Sequence, residues 1–246
     1  MQYVWFNWSI IILVVWLVIY RFKPAFRKVM LKMSLITAPF GLTEPLFVPE
    51  YWYPPTLFNM AEKTGFDIES IIFSFAIGGI GSVLYQLIYK QKIIKIDTKE
   101  RNHSRHRLHR LILFVPLIIF VLLAYFTNLN HIYCGVFALF IGALSTLYCR
   151  PDLKSKIWVG GLLFTVLYFI YFGSILPFYP NYVELYWNLN ELSSILIFGV
   201  PLEELLFAFS FGMYWSSLYE HLYWQRSVKE ISSITANGTK WRANEN

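Results

Sequence analysis

Long apolar runs separated by short polar gaps dominate the sequence. A membrane-spanning helix needs about 20 mostly apolar residues. Seven segments qualify as candidates: Tyr3–Tyr20, Leu31–Val48, Asp67–Tyr89, Leu111–Thr127, Ile132–Cys149, Trp158–Leu176 and Ile195–Leu218. The second is the weakest, because it is short and contains two prolines, a glycine and Glu44. It is expected to be a kinked or broken helix that lines a cavity. The pattern predicts an all-α polytopic membrane bundle of seven transmembrane helices.

Composition and charge support a membrane protein and suggest its orientation. Charged residues make up 15% of the chain, against about 25% in average soluble domains. Of the 21 basic residues, all but Lys63 lie in the gaps 21–32, 90–110 and 150–157 or in the C-terminal tail. Because cytoplasmic loops are rich in Lys and Arg, these gaps are expected in the cytoplasm, with the N-terminus outside. The charge therefore does not call for a nucleic-acid partner. The expected location is a bacterial inner (plasma) membrane, with lipid as a partner.

Two parts of the chain can be aligned at an offset of 134 residues. The cores are FDIESIIFSFAIGG at 66–79 and VPLEELLFAFSFGM at 200–213, and the offset pairs Glu69 with Glu203 and Phe73 with Phe207. The alignment predicts two parallel three-helix repeats joined by a linker helix. The expected units are residues 1–89 (first repeat), 90–131 (basic loop and linker helix), 132–218 (second repeat) and 219–246 (basic tail).

Five acidic residues lie within or at the ends of the predicted spans: Glu44, Asp67, Glu69, Glu203 and Glu204. Charges inside a bilayer are costly and usually functional. No Lys or Arg is predicted deep in a helix to pair with them, so they are expected to be neutral or to share protons, which suits proton donation. Structural roles stay open: Asp67 and Glu69 could cap their helix, and Glu44 could be a kink residue. Glu203 and Glu204 are expected about two turns inside the last helix, where capping explains them poorly unless Pro201 restarts the helix there.

The histidines and cysteines give a weaker signal. His103, His106 and His109 recur every three residues in a basic segment, which is typical of a solvated loop, and no metal site is expected. Cys134 and Cys149 lie about 22 Å apart along one predicted helix, too far for a disulfide. No strand precedes the glycines near residue 80, so no nucleotide fold and no cofactor is expected.

A Pro-x-Glu-Glu pattern occurs in PLEELLF (201–207), after the aromatic segment YVELYW (182–187). These residues resemble the lycopene cyclase domain family, the membrane carotenoid cyclases of bacteria, archaea and fungi, found as heterodimers or as fused, duplicated chains. The second copy matches the family pattern, whereas the first copy, DIESIIF, has Asp67 in place of the proline and Ser70 in place of the second glutamate. The resemblance covers roughly residues 1–89 and 132–218.

The resemblance implies a redox-neutral cyclisation of the linear ends of lycopene or a related carotenoid to ionone rings. An acid would protonate the terminal alkene, an internal double bond would attack the cation, and a base would remove a ring proton. Glu203 or Glu204 would be the acid, with its partner or Glu69 as the base. Aromatic faces can stabilise a cation; the expected substrate-binding residues are Trp52, Phe73, Tyr186, Trp187, Phe207 and Trp215.

Three other functions are compatible with parts of the pattern. A non-catalytic carotenoid- or isoprenoid-binding protein of the same fold is allowed by the altered first motif. A proton-coupled transporter could also use buried acids. A retinal photoreceptor is disfavoured, because the last predicted span contains no Lys for a Schiff base. Further expected partners are a second copy of the chain, as a homo-oligomer, or other carotenoid enzymes.

Overall fold

The structure, a computed structural model, describes residues 3–229 of the chain. About three quarters of it is helical. Within the described range the α-helices are α1 (Val4–Phe22), α2 (Arg27–Thr37), α3 (Met60–Thr64), α4 (Ile68–Tyr89), α5 (Thr98–Arg101), α6 (His109–Phe126), α7 (His131–Cys149), α8 (Lys154–Gly173), α9 (Tyr182–Tyr186) and α10 (Leu202–Tyr223). The strands are β1 (Gln91–Lys95), β2 (Leu196–Ile197), β3 (Val200–Pro201) and β4 (Gln225–Lys229). Lys240, Arg242 and the rest of the predicted tail beyond 229 lie outside the described residues.

Five helical segments in the described part are long and apolar enough to cross a membrane. They contain α1, α4, α6, α7 and α8. The remaining two predicted spans are also helical, at least in part: α2 is short, and α10 has the length of α4 but carries Glu203, Glu204 and Glu220. The chain is therefore a helical membrane protein, and two small two-stranded sheets, β1–β4 and β2–β3, were not predicted.

The second predicted span, Leu31–Val48, is broken as expected. Its α-helix ends at Thr37, and the chain continues as a 3₁₀ segment, Ala38–Leu46. Pro45 lies inside that segment and has no amide hydrogen to donate, which weakens a regular helix. Gly41 brings the segment against α4: a Cβ at this position would lie 2.6 Å from the backbone nitrogen of Ile71. The break therefore lets the segment carry its buried glutamate, Glu44, against α4.

The start of the last predicted span is wrong. Residues from Ile195 to Pro201 do not begin a helix, because β2 and β3 form a small antiparallel hairpin there. The two turn residues, Phe198 and Gly199, both have positive φ, 51° and 83°, as two-residue hairpin turns require. Helix α10 begins only at Leu202 and runs to Tyr223, five residues beyond the predicted end at 218.

The bundle has two chemically different ends. Strand β1 pairs with β4, Lys32 Nζ lies 4.3 Å from the ring centre of Tyr223, and Arg150 Nη2 donates to the carbonyl of Gln225 at 2.8 Å. These contacts bring segments 21–32, 90–110 and 150–157 and the chain after α10 together at one end, called the basic end here. The N-termini of α4 and α10 lie at the opposite end, the acidic end, with the five predicted carboxyl groups.

Equivalent elements recur at two constant offsets. A shift of 127 residues moves the bounds of α1 onto those of α7. The same shift moves the 3₁₀ turn Pro24–Phe26 onto the 3₁₀ turn Pro151–Leu153, and the segment 27–46 onto α8. Helix α4 and strand β1 have the bounds of α10 and β4 after a shift of 134 residues. The seven extra residues of the later part fall between α8 and α10, the connection that contains the hairpin.

Candidate active site

Glu204 is the most fully hydrogen-bonded carboxylate of the acidic end. It is 6% exposed. It accepts hydrogen bonds from the hydroxyls of Tyr51 and Tyr168, both at 2.6 Å, and from Nε1 of Trp187 at 3.0 Å. The expected position two turns inside the helix is wrong: Pro201 is the N-cap residue of α10, so Glu204 lies in the first turn. Three donors and the helix N-terminus favour the negative form of this carboxyl group and work against its burial, which favours the neutral form.

Two of these donors come from the aromatic loops that precede α4 and α10. Trp52 and Trp187 form a β-bridge, and the amide of Asn188 donates to the carbonyl of Tyr51 at 3.0 Å. The loops therefore do more than cover the bundle, because this short ribbon turns their aromatic side chains inward. Burial, together with the charge of Glu204, raises the pKa of Tyr51, so the phenol keeps its proton as a donor.

Glu203 points away from its neighbour Glu204, because successive residues of a helix are about 100° apart. One oxygen, Oε1, accepts from the hydroxyl of Tyr133 on α7 at 2.6 Å and from the amide of Ser193 at 2.9 Å. The other oxygen, Oε2, is buried with no partner among the described residues. Glu203 thus holds one oxygen in place and leaves the other free.

Glu69 has a similar arrangement in the first half of the chain. Its Oε1 accepts from the amide of Leu57 at 2.6 Å, and its Oε2 is buried with no partner among residues 3–229. Glu69 is 0% exposed, and it does not cap its own helix. It corresponds to Glu203 at the offset of 134, and in both cases an amide from the preceding loop fixes one oxygen.

Asp67, Ser70 and Glu44 form a separate group beside Glu69. Asp67 caps α4 by accepting from the amide of Ser70 at 2.5 Å, so the structural role foreseen for it holds. The Ser70 hydroxyl lies 3.0 Å from both Oδ2 of Asp67 and Oε2 of Glu44. A hydroxyl has a single proton to donate, so both contacts are hydrogen bonds only when one of the carboxyl groups is protonated. The geometry therefore describes a place where a proton is held.

Aromatic rings fill the space between the two groups of acids. Of the predicted substrate-binding residues, Trp52 and Trp187 have ring centres 5.1 Å apart, while Phe73 and Phe207 lie 6.2 and 6.4 Å from the ring of Tyr168. This group, the aromatic cluster, is completed by Trp5, Tyr171 and Phe172. Two rings of the cluster, Tyr168 and Trp187, point their polar groups at the carboxylate of Glu204 and donate to it.

Two predicted aromatic residues lie away from the carboxyl groups. Tyr186 packs against Tyr182, with ring centres 4.7 Å apart, in the loop before the hairpin. Trp215 lies more than two turns beyond Phe207 along α10, where it stacks on Phe211 and donates to Thr37 Oγ1 at 2.9 Å. Phe211 is in turn 5.6 Å from Phe207, so this row of rings connects Trp215 to the site.

The sequence reasoning missed the tyrosines that bind the carboxylates: Tyr51, Tyr133 and Tyr168. A signal for them existed, because a phenol in an apolar segment needs a hydrogen-bond partner when it is buried. Which acid each one meets depends on the packing of helices that are far apart in sequence.

The sequence reasoning also missed a buried cation at the basic end. Lys156, placed by the sequence in a loop, is in the first turn of α8, 3% exposed, and its ammonium group binds the carboxylate of Glu220. Gln86 Nε2 and Ser227 Oγ also donate to Glu220, each at 2.7 Å. This cluster lies at the basic end and does not neutralise the acids of the candidate site.

Fold and site together define a class: an integral membrane helical protein with buried carboxyl groups beside an aromatic cluster. A lycopene cyclase family model matches residues 130–222. The matched range contains α7, α8 and nearly all of α10, with Glu203 and Glu204. This part of the chain therefore matches the lycopene cyclase family, as the PLEELLF segment indicated. No curated protein and no solved structure gives a significant match to the chain.

Proposed function

We propose that this protein cyclises the linear ends of lycopene or a related carotenoid to ionone rings within the membrane, by acid catalysis. The observation that carries the proposal is the placement of four features: two buried carboxyl groups with one free oxygen each, a third carboxylate bound by three donors, and the aromatic cluster. Glu203, Glu204 and part of the aromatic cluster lie in the stretch that matches the lycopene cyclase family.

The free oxygens support Glu69 and Glu203 as the residues that would carry out the proton transfers. Each presents a buried Oε2 with no protein partner in the described range, while its Oε1 is fixed by a backbone amide. A positioned carboxyl group of this kind can give or take a proton if a substrate carbon reaches it. One of the two would protonate the terminal alkene, and the other would remove a ring proton. The proton shared by Asp67, Ser70 and Glu44 would be close to Glu69 for its reprotonation.

Glu204 would act through its charge. Both of its oxygens already accept hydrogen bonds, so it is less suited to bind a substrate atom directly. A fixed negative charge favours a cation nearby, and the faces of aromatic rings do the same. The substrate is a hydrocarbon, and the buried, apolar cluster would keep water from trapping its cation.

The reaction balances without a redox partner. The proton added to the terminal alkene creates a tertiary cation, and an internal double bond closes the six-membered ring. Loss of a ring proton then restores a double bond. One proton enters and one leaves, so the product is an isomer of the substrate, and the reaction needs neither an oxidant nor a reductant.

The proposed membrane architecture is seven spans in two parallel three-helix repeats joined by α6, with the N-terminus outside and the C-terminal end in the cytoplasm. The matching bounds at offsets of 127 and 134 residues support the repeats. The gathering of the basic segments at one end of the bundle supports a single cytoplasmic face. Helix α6 would return the second unit to the orientation of the first.

The test is expression in a lycopene-accumulating bacterial host, with pigments separated by chromatography. We expect cyclised product from the native chain and a loss of at least about 100-fold for Glu69→Gln and Glu203→Gln, the range for removal of a general acid or base. Glu184→Gln, at an exposed position of the short helix α9, is the matched control and should keep full activity. Unchanged lycopene that co-purifies with a well-expressed native chain would favour a binding protein and sink the enzyme. Full activity of both Gln variants would refute the assignment of these two residues.

A further inference from the structure

A group of metal-ligating side chains lies at the basic end, far from the acidic end and unused by the proposed reaction. His106 Nδ1 is 3.2 Å from Cys149 Sγ, and His109 Nδ1 is 3.6 Å from the same sulfur. The three ligand atoms all lie within 4.8 Å of one another. They come from three places: the 3₁₀ turn before α6, the first residue of α6 and the last residue of α7.

These separations are those of a tetrahedral metal site. With Zn–S near 2.3 Å and Zn–N near 2.0–2.1 Å, a tetrahedral centre places a sulfur and a nitrogen ligand about 3.5 Å apart. The two observed nitrogen–sulfur distances, 3.2 and 3.6 Å, lie on either side of this value. One ion can thus bind all three atoms after small side-chain adjustments.

A second observation independently points to a missing ligand. His221 of α10 is 0% exposed, and neither of its ring nitrogens has a hydrogen-bond partner in the described part of the chain. Buried polar groups without a partner are rare and costly. The ring of His221 lies edge-on to that of His109, with centres 4.5 Å apart. Its nitrogens are outside the three-atom group, so a change of side-chain rotamer would be needed for it to become the fourth ligand.

We propose that His106, His109 and Cys149 bind a zinc-class divalent ion, with His221 as the fourth ligand. A thiolate with imidazoles is the ligand set of borderline metals such as Zn²⁺, whereas Mg²⁺ and Ca²⁺ prefer oxygen. Trp224 stacks on His109, with ring centres 4.0 Å apart, and covers one side of the site. Without a metal, the thiol would donate to one imidazole and accept from the other, but that arrangement would leave His221 unsatisfied.

The ion would have a structural role. Its ligands would connect the start of α6 with the ends of α7 and α10, and so attach the proposed linker helix to the second half of the chain. Ligands must be deprotonated to bind, and the ion would satisfy the thiol and the buried imidazoles together.

The experiment uses the full chain purified in detergent, dialysed against a chelator and titrated with Zn²⁺ or Co²⁺. We expect about one Co²⁺ per chain, with the d–d bands of a tetrahedral site and a thiolate charge-transfer band. Cys149→Ser should abolish the charge-transfer band, and His109→Gln should weaken binding by more than about tenfold, since even changes to groups that only orient the ligands cost 10–100-fold. His221→Phe should weaken binding to a similar degree. Cys134→Ser, at the other buried free cysteine, is the control and should bind normally.

A measurement on the native chain keeps the test independent of whether the variants fold. Zn²⁺ should protect Cys149, but not Cys134, from a thiol-alkylating reagent, and a chelator should remove the protection; peptide mass spectrometry reports the two sites separately. Equal alkylation of Cys149 with and without Zn²⁺, or a Co²⁺ spectrum unchanged in Cys149→Ser, would overturn the proposal. Neither readout depends on carotenoid chemistry, so the result is separate from that of the cyclase test.

Discussion

Breaking the buried ion pair at the basic end should destabilise the protein in a way that a second mutation reverses. The ammonium group of Lys156 has the carboxylate of Glu220 as its partner, and the two side chains are 4% and 0% exposed. Lys156→Met would leave a buried carboxylate without its cation. Loss of one member of a buried pair costs about 3–5 kcal/mol.

The hydrogen bonds that survive the mutation reduce this cost. Gln86 Nε2 and Ser227 Oγ would still donate to Glu220 Oε1, each at 2.7 Å, and such bonds contribute about 1 kcal/mol each. We therefore expect Lys156→Met to lower the free energy of unfolding by about 1–3 kcal/mol. The double variant Lys156→Met/Glu220→Gln buries no charge and should lie within about 1 kcal/mol of the native protein.

The assay is unfolding in mixed detergent micelles, followed by circular dichroism at increasing denaturing detergent. The control is Lys154→Met, at an exposed site two positions before Lys156 in the same helix. It removes the same charge and should have little effect on stability. The reasoning fails if Lys156→Met is as stable as the control. It also fails if the double variant is less stable than Lys156→Met, because the stabilising partner of Lys156 would then lie elsewhere.

Two further variants test the packing and the candidate site. Gly41→Ala should lower the free energy of unfolding by about 1–3 kcal/mol, since its Cβ would lie 2.6 Å from the backbone of α4. The control in the same unfolding assay is Gly135→Ala, whose Cβ would meet nothing within 4 Å. Equal stability of the two variants would contradict the close contact. Tyr168→Phe removes one donor to Glu204 and should lower the rate of cyclisation about tenfold, because a hydrogen bond to a charged group contributes about 1.5–3 kcal/mol. Tyr125→Phe, at a site that is 80% exposed, should leave the rate of product formation unchanged, and an equal rate in both variants would remove Glu204 from the mechanism.

The apolar pattern located the helices well where length and composition decide the structure. Its failure at Ile195–Pro201 has a physical reason: a short apolar run can be a buried helix or a strand, and periodicity does not separate them. The Phe198–Gly199 turn, which keeps the helix from starting before Leu202, is only weakly marked in the sequence of that run. The broken second span was easier, because Pro45 and its neighbours weaken a helix by known local chemistry.

The candidate site was predictable in its acids but not in their partners. Glu69 and Glu203 were noticeable because charge inside an apolar run is costly. Their bound and free oxygens depend on loop amides of Leu57 and Ser193, which no spacing rule brings close. The same holds at the basic end, where Cys149 meets histidines that are 40 and 43 positions earlier in the chain.

The strand pair β1–β4 has a consequence for the origin and assembly of the chain. Ile93 pairs with Ser227, and Gln86 donates to Glu220; in both contacts the partner lies 134 positions later. If the two halves are copies, as proposed, each of these contacts joins equivalent residues, which is the mark of a local two-fold axis in an isologous interface. The halves then meet as the subunits of a homodimer would. A chain cut between β1 and α6 would leave two fragments with self-complementary faces, each able to pair with a second copy of itself as well as with the other fragment.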